Sequence, residues 1–416
     1  MNRQEKATPK QMKFRKIVND PVHGFITFDD ELIYRVLSHP FYQRLRRIHQ
    51  MALAHLVYPG AVHSRLHHSM GAYHLMCLAL TELKSKAVDI SKEEEQAAKL
   101  AILLHDVGHG PFSHALEHVL IEDVHHEEIS LLIFEHLNKE FNGAFDMAIS
   151  IFKGTYPKLF LHQLISSQLD VDRMDYLTRD SFYSGVSEGV IGYDRIIKMM
   201  VVHNNELMVE EKAVYSIEKF LVARRLMYWQ AYLHKTVLSA ENMLVKILER
   251  ARVVAKNETG HFSSNPILDE FLRTTQSASF IKNNLAKFCE LDDYDVLASI
   301  KKWMHHPDKV LSTLSQWLLN RNMLKTKLQM QPFNEKEIEA VQRKAKEQLS
   351  LTDEEVPYFV FNGIAENRMY NPGNELINIL YKDGTVKDIS EVEYGLIHKA
   401  IHSPVRKFYL CRPPFA

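Results

Sequence analysis

The chain has 416 residues, 51 Lys+Arg against 52 Asp+Glu, 46% hydrophobic residues and three cysteines. Ordinary hydrophobicity with 25% charged residues excludes a disordered chain, and a net charge of −1 removes any whole-chain electrostatic case for nucleic acid or a membrane as the main partner. Cys77, Cys289 and Cys411 lie far apart, which excludes a disulfide scaffold or a thiolate zinc site and fits a reduced, cytoplasmic protein. Histidine is the abnormal figure. There are 23, and thirteen fall between His39 and His126; such clustering points to metal or acid–base chemistry there.

Residues 1–14 are polar and basic, with no apolar core of the kind a signal peptide needs, and read as a mobile arm. No apolar run approaches the roughly 20 residues that span a bilayer. The stretch from Asn19-Asp20-Pro21 to Phe28 reads as a turn and a short extended piece. From about residue 30 to 330 the pattern is helical, with apolar residues at three- and four-residue spacing over 71–88, 95–106, 113–121, 126–140, 160–179 and 212–257. Breakers fall between these segments: Pro59-Gly60, Gly108, Gly110-Pro111, Asn142-Gly143, Gly189 and Gly192. After about 330 a helical segment (335–349) precedes strand candidates at 358–361 and 375–381, a Lys-Asp-Gly turn at 382–384, and Thr385 to Ile389, which together signal a β-hairpin. A last strand candidate covers 406–411. The expected fold class is mainly α: an arm (1–14), a large helical domain (15–330) and a small α+β C-terminal region (331–416) containing the hairpin.

Chemistry concentrates at His105-Asp106-Val107-Gly108-His109-Gly110-Pro111-Phe112-Ser113-His114. Adjacent His105 and Asp106 point about 100° apart on a helix, so both reach one ion only if it sits between their directions. An imidazole nitrogen with a carboxylate oxygen suits a borderline divalent ion such as Mn, Fe, Co, Ni or Zn. His109 shares His105's face if the helix continues; Gly108 and Gly110 permit a sharp exit, and Pro111 suits the first turn of a new helix. There His114 and Glu117 form an i, i+3 pair in which the carboxylate orients the imidazole. A lone His-Asp dipeptide is common by chance; His-Asp, Gly-His-Gly-Pro and His-x-x-Glu within 13 residues is not. Upstream, His63, His67 and His68 each offer a further ligand and spacing does not choose among them, while Arg65 offers a fixed positive charge for phosphate. Downstream, Asp172, Tyr176 and Asp180 fall on one helical stripe, polar enough to line a cavity. Asp175 and Arg179 read as a separate structural or solvated i, i+4 ion pair. Arg224, Tyr228 and Tyr232 repeat the i, i+4, i+8 spacing, equally compatible with a packing face.

From Lys16 to Lys235 these motifs, in order, resemble the HD superfamily of metal-dependent phosphohydrolases, and within it the deoxynucleoside triphosphate triphosphohydrolase branch. The resemblance rests on Asn19 to Gly24, Gln43 to Arg46, Pro59-Gly60, Ser64-Arg65-x-x-His68-Ser69, the 105–114 stretch, His126-Glu127 and residues 170–180. It implies His68, His105, Asp106 and Asp172 as metal ligands, His68 being the histidine directly before Ser, and a divalent ion (Mn, Mg, Fe, Ni, Co or Zn) as cofactor. It implies a catalytic dyad of His114 and Glu117 with His126 beside it. Arg65, His109, Arg173, Tyr176 and Arg224 would hold a triphosphate, and Gln50, Asp180 and Tyr232 would lie near the sugar. The implied reaction releases nucleoside and tripolyphosphate, and the implied assembly is a homodimer or tetramer. Vertebrate members have Lys at Arg173 and His at Tyr228. At their regulatory site an acidic residue reads guanine where this chain has Ser38, and Phe25 replaces a His, although Asn19, Gln43 and Arg46 match. Competing readings are an HD enzyme acting on a monophosphate, a cyclic nucleotide or guanosine tetraphosphate, and a nucleotide sensor or single-stranded nucleic-acid binder with an inactive site. The alarmone hydrolases carry Glu-Asp soon after the His-Asp pair; His109-Gly110 here argues against them. A complete ligand set argues against decay.

Overall fold

In the computed structural model, residues 14–113, 124–274, 278–371, 373, 375–392, 395–396 and 404–415 are described. The chain is mainly helical, with small sheets at its edges. Labels are given to the elements that position the site. The amino-terminal stretch expected to be a turn with an extended piece is a complete antiparallel hairpin, β1 (Lys16–Asp20) and β2 (Gly24–Phe28). Asp20 shapes its turn by accepting from the backbone N–H groups of Val22 and His23.

The central helix is α1 (Arg65–Ser85), buried on nearly every side and packed against α2 (Lys92–Leu104) and α5 (Val171–Ser184). An all-round apolar helix is the expected occupant of a bundle centre. Its start is held by Ser64, whose backbone N–H donates to His67 Nδ1 at 3.2 Å, so His67 serves as a cap. Between α2 and α5 run α3 (His126–Glu140) and α4 (Asp146–Phe152). The hairpin β3 (Met200–His203) and β4 (Glu206–Glu210) follows α5, then α6 (Val214–Met227) and α7 (Lys235–Ala255).

Three expected helices are interrupted, each for a local reason. The segment 95–106 stops at Leu104, so His109 arrives by a turn rather than along a helix face. The segment 160–179 divides because the Asp170 carboxylate accepts from the N–H groups of Ser167 (2.8 Å) and Arg173 (2.7 Å), which restarts the helix at Val171. The segment 212–257 divides at a π-helical turn, Tyr228–Tyr232, after which His234 caps α7 through the Thr236 N–H. Isolated π turns recur where a functional side chain must be re-aimed.

Beyond α7 lie α8 (Asp293–Trp303), α9 (Lys309–Leu319), β5 (Lys325–Gln329) and α10 (Glu335–Leu349). Strand β6 (Phe361–Asn367) pairs with the final strand β9 (Val405–Arg412), which also pairs with β5. The expected hairpin is β7 (Asn378–Leu380) with β8 (Val386–Asp388). Strand β7 adds in parallel to β4, so a strand after residue 330 completes a sheet begun within the helical region. Among the described residues no helix is long and apolar enough to cross a membrane.

Candidate active site

Helices α1 and α5 and the turn after α2 bring four side chains to one point. His68 Nε2 lies 2.9 Å from Asp172 Oδ1 and 3.6 Å from Asp106 Oδ2. His105 Nε2 lies 3.3 Å from Asp172 Oδ1 and 3.4 Å from Asp106 Oδ1. Atoms bonded to one ion at about 2.1 Å stand about 3.0–3.4 Å apart, so these separations suit a shared divalent cation. Both Nε2 atoms are buried and make no directed hydrogen bond, which is how nitrogens awaiting a metal are left. Their other nitrogens are committed: His105 Nδ1 bonds the Ile102 carbonyl at 2.6 Å, and His68 Nδ1 bonds Asp175 Oδ2 at 2.8 Å. Such partners fix the tautomer and aim Nε2. Burial opposes charge on His68, but Asp172 and Asp175 outweigh it and push the imidazole up to about 10. Burial likewise opposes charge on Asp106, and His105, Arg65 and His109 overcome it, holding that carboxyl well below the usual range. The pocket therefore favours a positive charge between fixed carboxylates. The set His68, His105 and Asp172, with Asp106 alongside, fits a divalent ion.

Asp175 is more than the structural ion pair expected from its spacing. Its carboxylate accepts from His23 Nε2 (2.7 Å), His68 Nδ1, Arg179 Nε (2.9 Å) and Arg179 Nη2 (3.0 Å), with all of these side chains buried. Arg179 Nη1 also donates to Asp20 Oδ2 at 2.8 Å, which ties the β1–β2 hairpin to the ligand helix. Gly71 leaves room for this network. A Cβ there would stand 1.9 Å from Asp175 Oδ1 and 2.2 Å from Arg179 Nη2.

The turn carrying His105 and Asp106 is pinned from two sides. Fully buried Arg44 donates to the carbonyls of Val107 and His109, both at 2.8 Å. Ser130 on α3 donates to the His105 carbonyl at 2.7 Å and accepts from the Gly108 N–H at 2.9 Å. A Cβ on Gly108 would come within 2.2 Å of the His126 carbonyl oxygen. This close approach stacks His126 on His109, rings 3.8 Å apart and 14° from parallel. His109 Nε2 is 3.3 Å from Asp106 Oδ1, and burial, with Arg65 adding, keeps that imidazole well below its usual pKa. Asp106, His109 and His126 converge as a second group of ligand-type atoms beside the first.

A cavity of about 550 Å³ opens from this point, within the range of small-molecule sites, about 300–1,000 Å³. Arg65, Asp106, His109, His126, Asp172, Arg173, Tyr176, Asp180, Arg224, Tyr232 and Gln50 all line it. Arg65 pairs with Asp106 and donates to Ser113 Oγ at 2.6 Å. Arg173 pairs with Asp170, and Arg224 donates to Gln168 Oε1 at 3.2 Å. The Nε atoms of Arg173 and Arg224 are buried and lack an acceptor among the described residues, and the buried Gln50 Oε1 lacks a donor. Asp180 accepts from the Tyr232 hydroxyl at 2.7 Å and is held from behind by His63 Nε2, also at 2.7 Å. His63 stacks on Tyr183 at 4.4 Å. His114 and Glu117 lie outside the described residues.

Residues whose roles sequence reasoning did not assign include His63, offered with His67 and His68 only as a candidate ligand, and Asp293 on α8. Asp293 bonds the His49 ring (2.6 Å) and the Phe112 N–H (2.7 Å), joining the two loops that flank the cavity. Neither carries a sequence signal, because both partners are remote in the chain. Glu241 on α7 also lines the cavity and lay inside a segment read only as helix.

Comparison with known proteins agrees with this geometry. The HD domain model matches residues 65–180, and the model of an HD associated region matches 191–264. A solved phosphohydrolase from Bacteroides thetaiotaomicron, BT4208, is 49% identical with a TM-score of 0.91, covering 96% of this chain and all of that one. The uncharacterized protein YwfO of Bacillus subtilis is 33% identical over 316 residues, 74% of this chain and 71% of its own length. The deoxynucleoside triphosphate triphosphohydrolase SAMHD1 homolog of Dictyostelium discoideum is 30% identical over 258 residues, 58% of this chain and 50% of its own. The convergent histidines and aspartates thus sit in a recognised framework, and the chain belongs to the HD-domain phosphohydrolases.

Proposed function

We propose that this protein hydrolyses deoxynucleoside triphosphates to deoxynucleoside and tripolyphosphate. The observation that carries the reading is the joint character of one cavity: buried, unsatisfied imidazole nitrogens at one wall and buried guanidinium N–H groups without acceptors nearby. Such a site asks for a cation and a polyanion together. The resemblance to deoxynucleotide hydrolases supplies the nucleoside.

A divalent ion held by His68, His105, Asp106 and Asp172 would polarise a phosphoryl oxygen and acidify water. Arg65, Arg173 and Arg224, with His109 and Tyr176, would hold the phosphates and offset the charge that grows on them. Asp180 and Tyr232, already bonded to each other, would receive the sugar, with Gln50 beside them. Water oxygen bonds to the α-phosphorus as the bond to the sugar 5′-oxygen breaks. The departing alkoxide needs a proton, and His114 oriented by Glu117 would give it, a role that the family resemblance implies for them, with His126 beside them. The intact tripolyphosphate is then released from Arg65, Arg173 and Arg224. A homo-oligomeric state, dimer or tetramer, belongs to the same reading.

The test is incubation with each of the four dNTPs and Mn or Mg, followed by chromatography. Deoxynucleoside with tripolyphosphate is expected. Monophosphate or inorganic phosphate as the sole phosphorus product overturns the reading, and turnover persisting in the His105→Ala, Asp106→Ala double variant overturns the metal site.

A further inference from the structure

We propose that Asp293 is a positioning residue for phosphate binding: from the start of α8 it holds the two loops between which the Arg65 guanidinium is seated. The inference rests on the phosphate role proposed for Arg65 above.

Three successive residues at the start of α8 grip the segment 44–49. The Leu291 carbonyl accepts from Arg44 Nη1 at 3.1 Å, and Asp292 pairs with Arg47. Asp293 Oδ2 accepts from both the backbone N–H (2.8 Å) and the ring Nδ1 (2.6 Å) of His49. Asp293 Oδ1 accepts from the Phe112 N–H at 2.7 Å. One fully buried carboxylate thus takes three donors from two loops. Its place in the first turn of α8 sets its charge at the favourable end of the helix dipole.

Both loops lead to Arg65. His49 bridges to Ser64, and the Ile48 carbonyl accepts from the Arg65 backbone N–H at 2.9 Å. On the other side, the Ser113 hydroxyl accepts from Arg65 Nε at 2.6 Å and donates to the His49 carbonyl at 3.3 Å. Arg65 Nη1 is taken by Asp106. Two of the three guanidinium nitrogens are therefore engaged, and Nη2 has no partner among the described residues, on a side chain that lines the cavity. The planar fork is rigid, so a guanidinium held at two nitrogens presents the third in a fixed direction.

The local chain does not adopt this seat unaided. Phe112 and Ser113 have φ of +53° and +52°, the left-handed region that L side chains occupy only where their surroundings enforce it. The Ser113 N–H closes the turn on the Gly110 carbonyl at 3.0 Å, and Asp293 ties that turn to His49. Without the carboxylate the two residues are free to relax toward negative φ, which turns the Ser113 hydroxyl away from Arg65. Asp293 touches neither the cavity nor a ligand, so its effect on phosphate must pass through Arg65.

The experiment is calorimetric titration of the Mn-loaded protein with tripolyphosphate, arranged as a double-mutant cycle. Asp293→Asn keeps one acceptor oxygen but sets an amide N–H2 against a donor, and is expected to weaken tripolyphosphate about tenfold. Arg65→Lys keeps a charge, and so a measurable affinity, but lacks the Nε–H that meets Ser113. In that background Asp293→Asn is expected to change the affinity by less than about twofold. A merely structural role would weaken binding equally in both backgrounds. His49→Phe leaves the carboxylate and its two backbone bonds in place, and is expected to weaken tripolyphosphate about threefold, again only with Arg65 present. Melting temperature and circular dichroism confirm folding, and His49→Phe carries the cycle if Asp293→Asn does not fold. Unchanged affinity in the folded variant, or equal losses in both backgrounds, overturns the role of Asp293. A cycle that runs as expected in a protein releasing no deoxynucleoside from dNTPs overturns the substrate reading and leaves Asp293 in its role. A wild type that does not bind tripolyphosphate overturns both.

Discussion

Replacing Asp175 by Asn tests whether ligand aiming and fold stability share one group. The native carboxylate takes four buried N–H donors from three residues, at 2.7–3.0 Å. An amide keeps one acceptor oxygen and places an N–H2 where the other stood, so two of the four donors face a donor. Breaking a buried pair from one side costs about 3–5 kcal/mol. Asp20 still accepts from Arg179, which keeps part of its charge compensated, so a loss near the lower end, about 3 kcal/mol, is expected. His68 Nδ1 also loses its anionic partner, and second-sphere losses of this kind weaken metal binding about 10–100-fold. Urea unfolding of metal-free protein reads the first effect, and Mn competition against a chelator reads the second. A stability change below about 1 kcal/mol together with unchanged Mn affinity would refute the reasoning, since it would mean that Asp175 neither supports Arg179 nor aims His68.

Two further outcomes follow from the geometry. Gly108→Ala puts a methyl group 2.2 Å from the His126 carbonyl and 2.3 Å from the Ser130 nitrogen, so α3 must move. We expect a loss of about 1–3 kcal/mol and a fall in dNTP turnover larger than the fall in Mn affinity, because the His109–His126 stack is displaced before the ligands; equal falls would count against that order. Glu241→Gln should stabilise the protein increasingly as pH rises. The wild-type carboxyl is raised to about 8 when folded, so it binds its proton more tightly in the folded state. Wild-type stability therefore drains as pH climbs from about 4.5 toward 8, and Gln, which does not titrate, escapes this. The gap in melting temperature should widen across that window, reaching the equivalent of about 1–3 kcal/mol after allowing for solvent at the cavity mouth; a gap constant with pH would contradict it.

Much of the helical architecture was legible because helix period and breaker position are local properties. The His126 segment and Glu335–Leu349 fall where three- and four-residue spacing puts them, while the helix expected over 71–88 starts earlier, at Arg65, and so takes in His68. The interruptions at Asp170 and Tyr228–Tyr232 were not legible. A capping carboxylate within an apolar run reads like any polar helix residue, and a π turn preserves the apolar count while shifting the faces. The hairpin β3–β4 was missed because strands of four and five residues between helices leave too few alternations to count.

The sequence by itself supplied the candidate donors, because the types of ligand atom a metal site needs can be read one residue at a time. His105 and Asp106 stand in one short motif and Asp172 in another, while preferring His68 to His63 and His67 came from the family resemblance and not from spacing. Cations for a polyanion were visible in the same way at Arg65, Arg173 and Arg224. Only the tertiary structure decided how those atoms are aimed. His68 is held from 107 positions away by Asp175, Asp180 from 117 by His63, and the hairpin histidine His23 reaches Asp175 across 152. It also turned a helical glutamate, Glu241, into a carboxyl on a cavity wall. Hydrogen bonds act over about 3 Å whatever the separation along the chain, so partners of this kind exist only once α1, α5 and the β1–β2 hairpin have packed together.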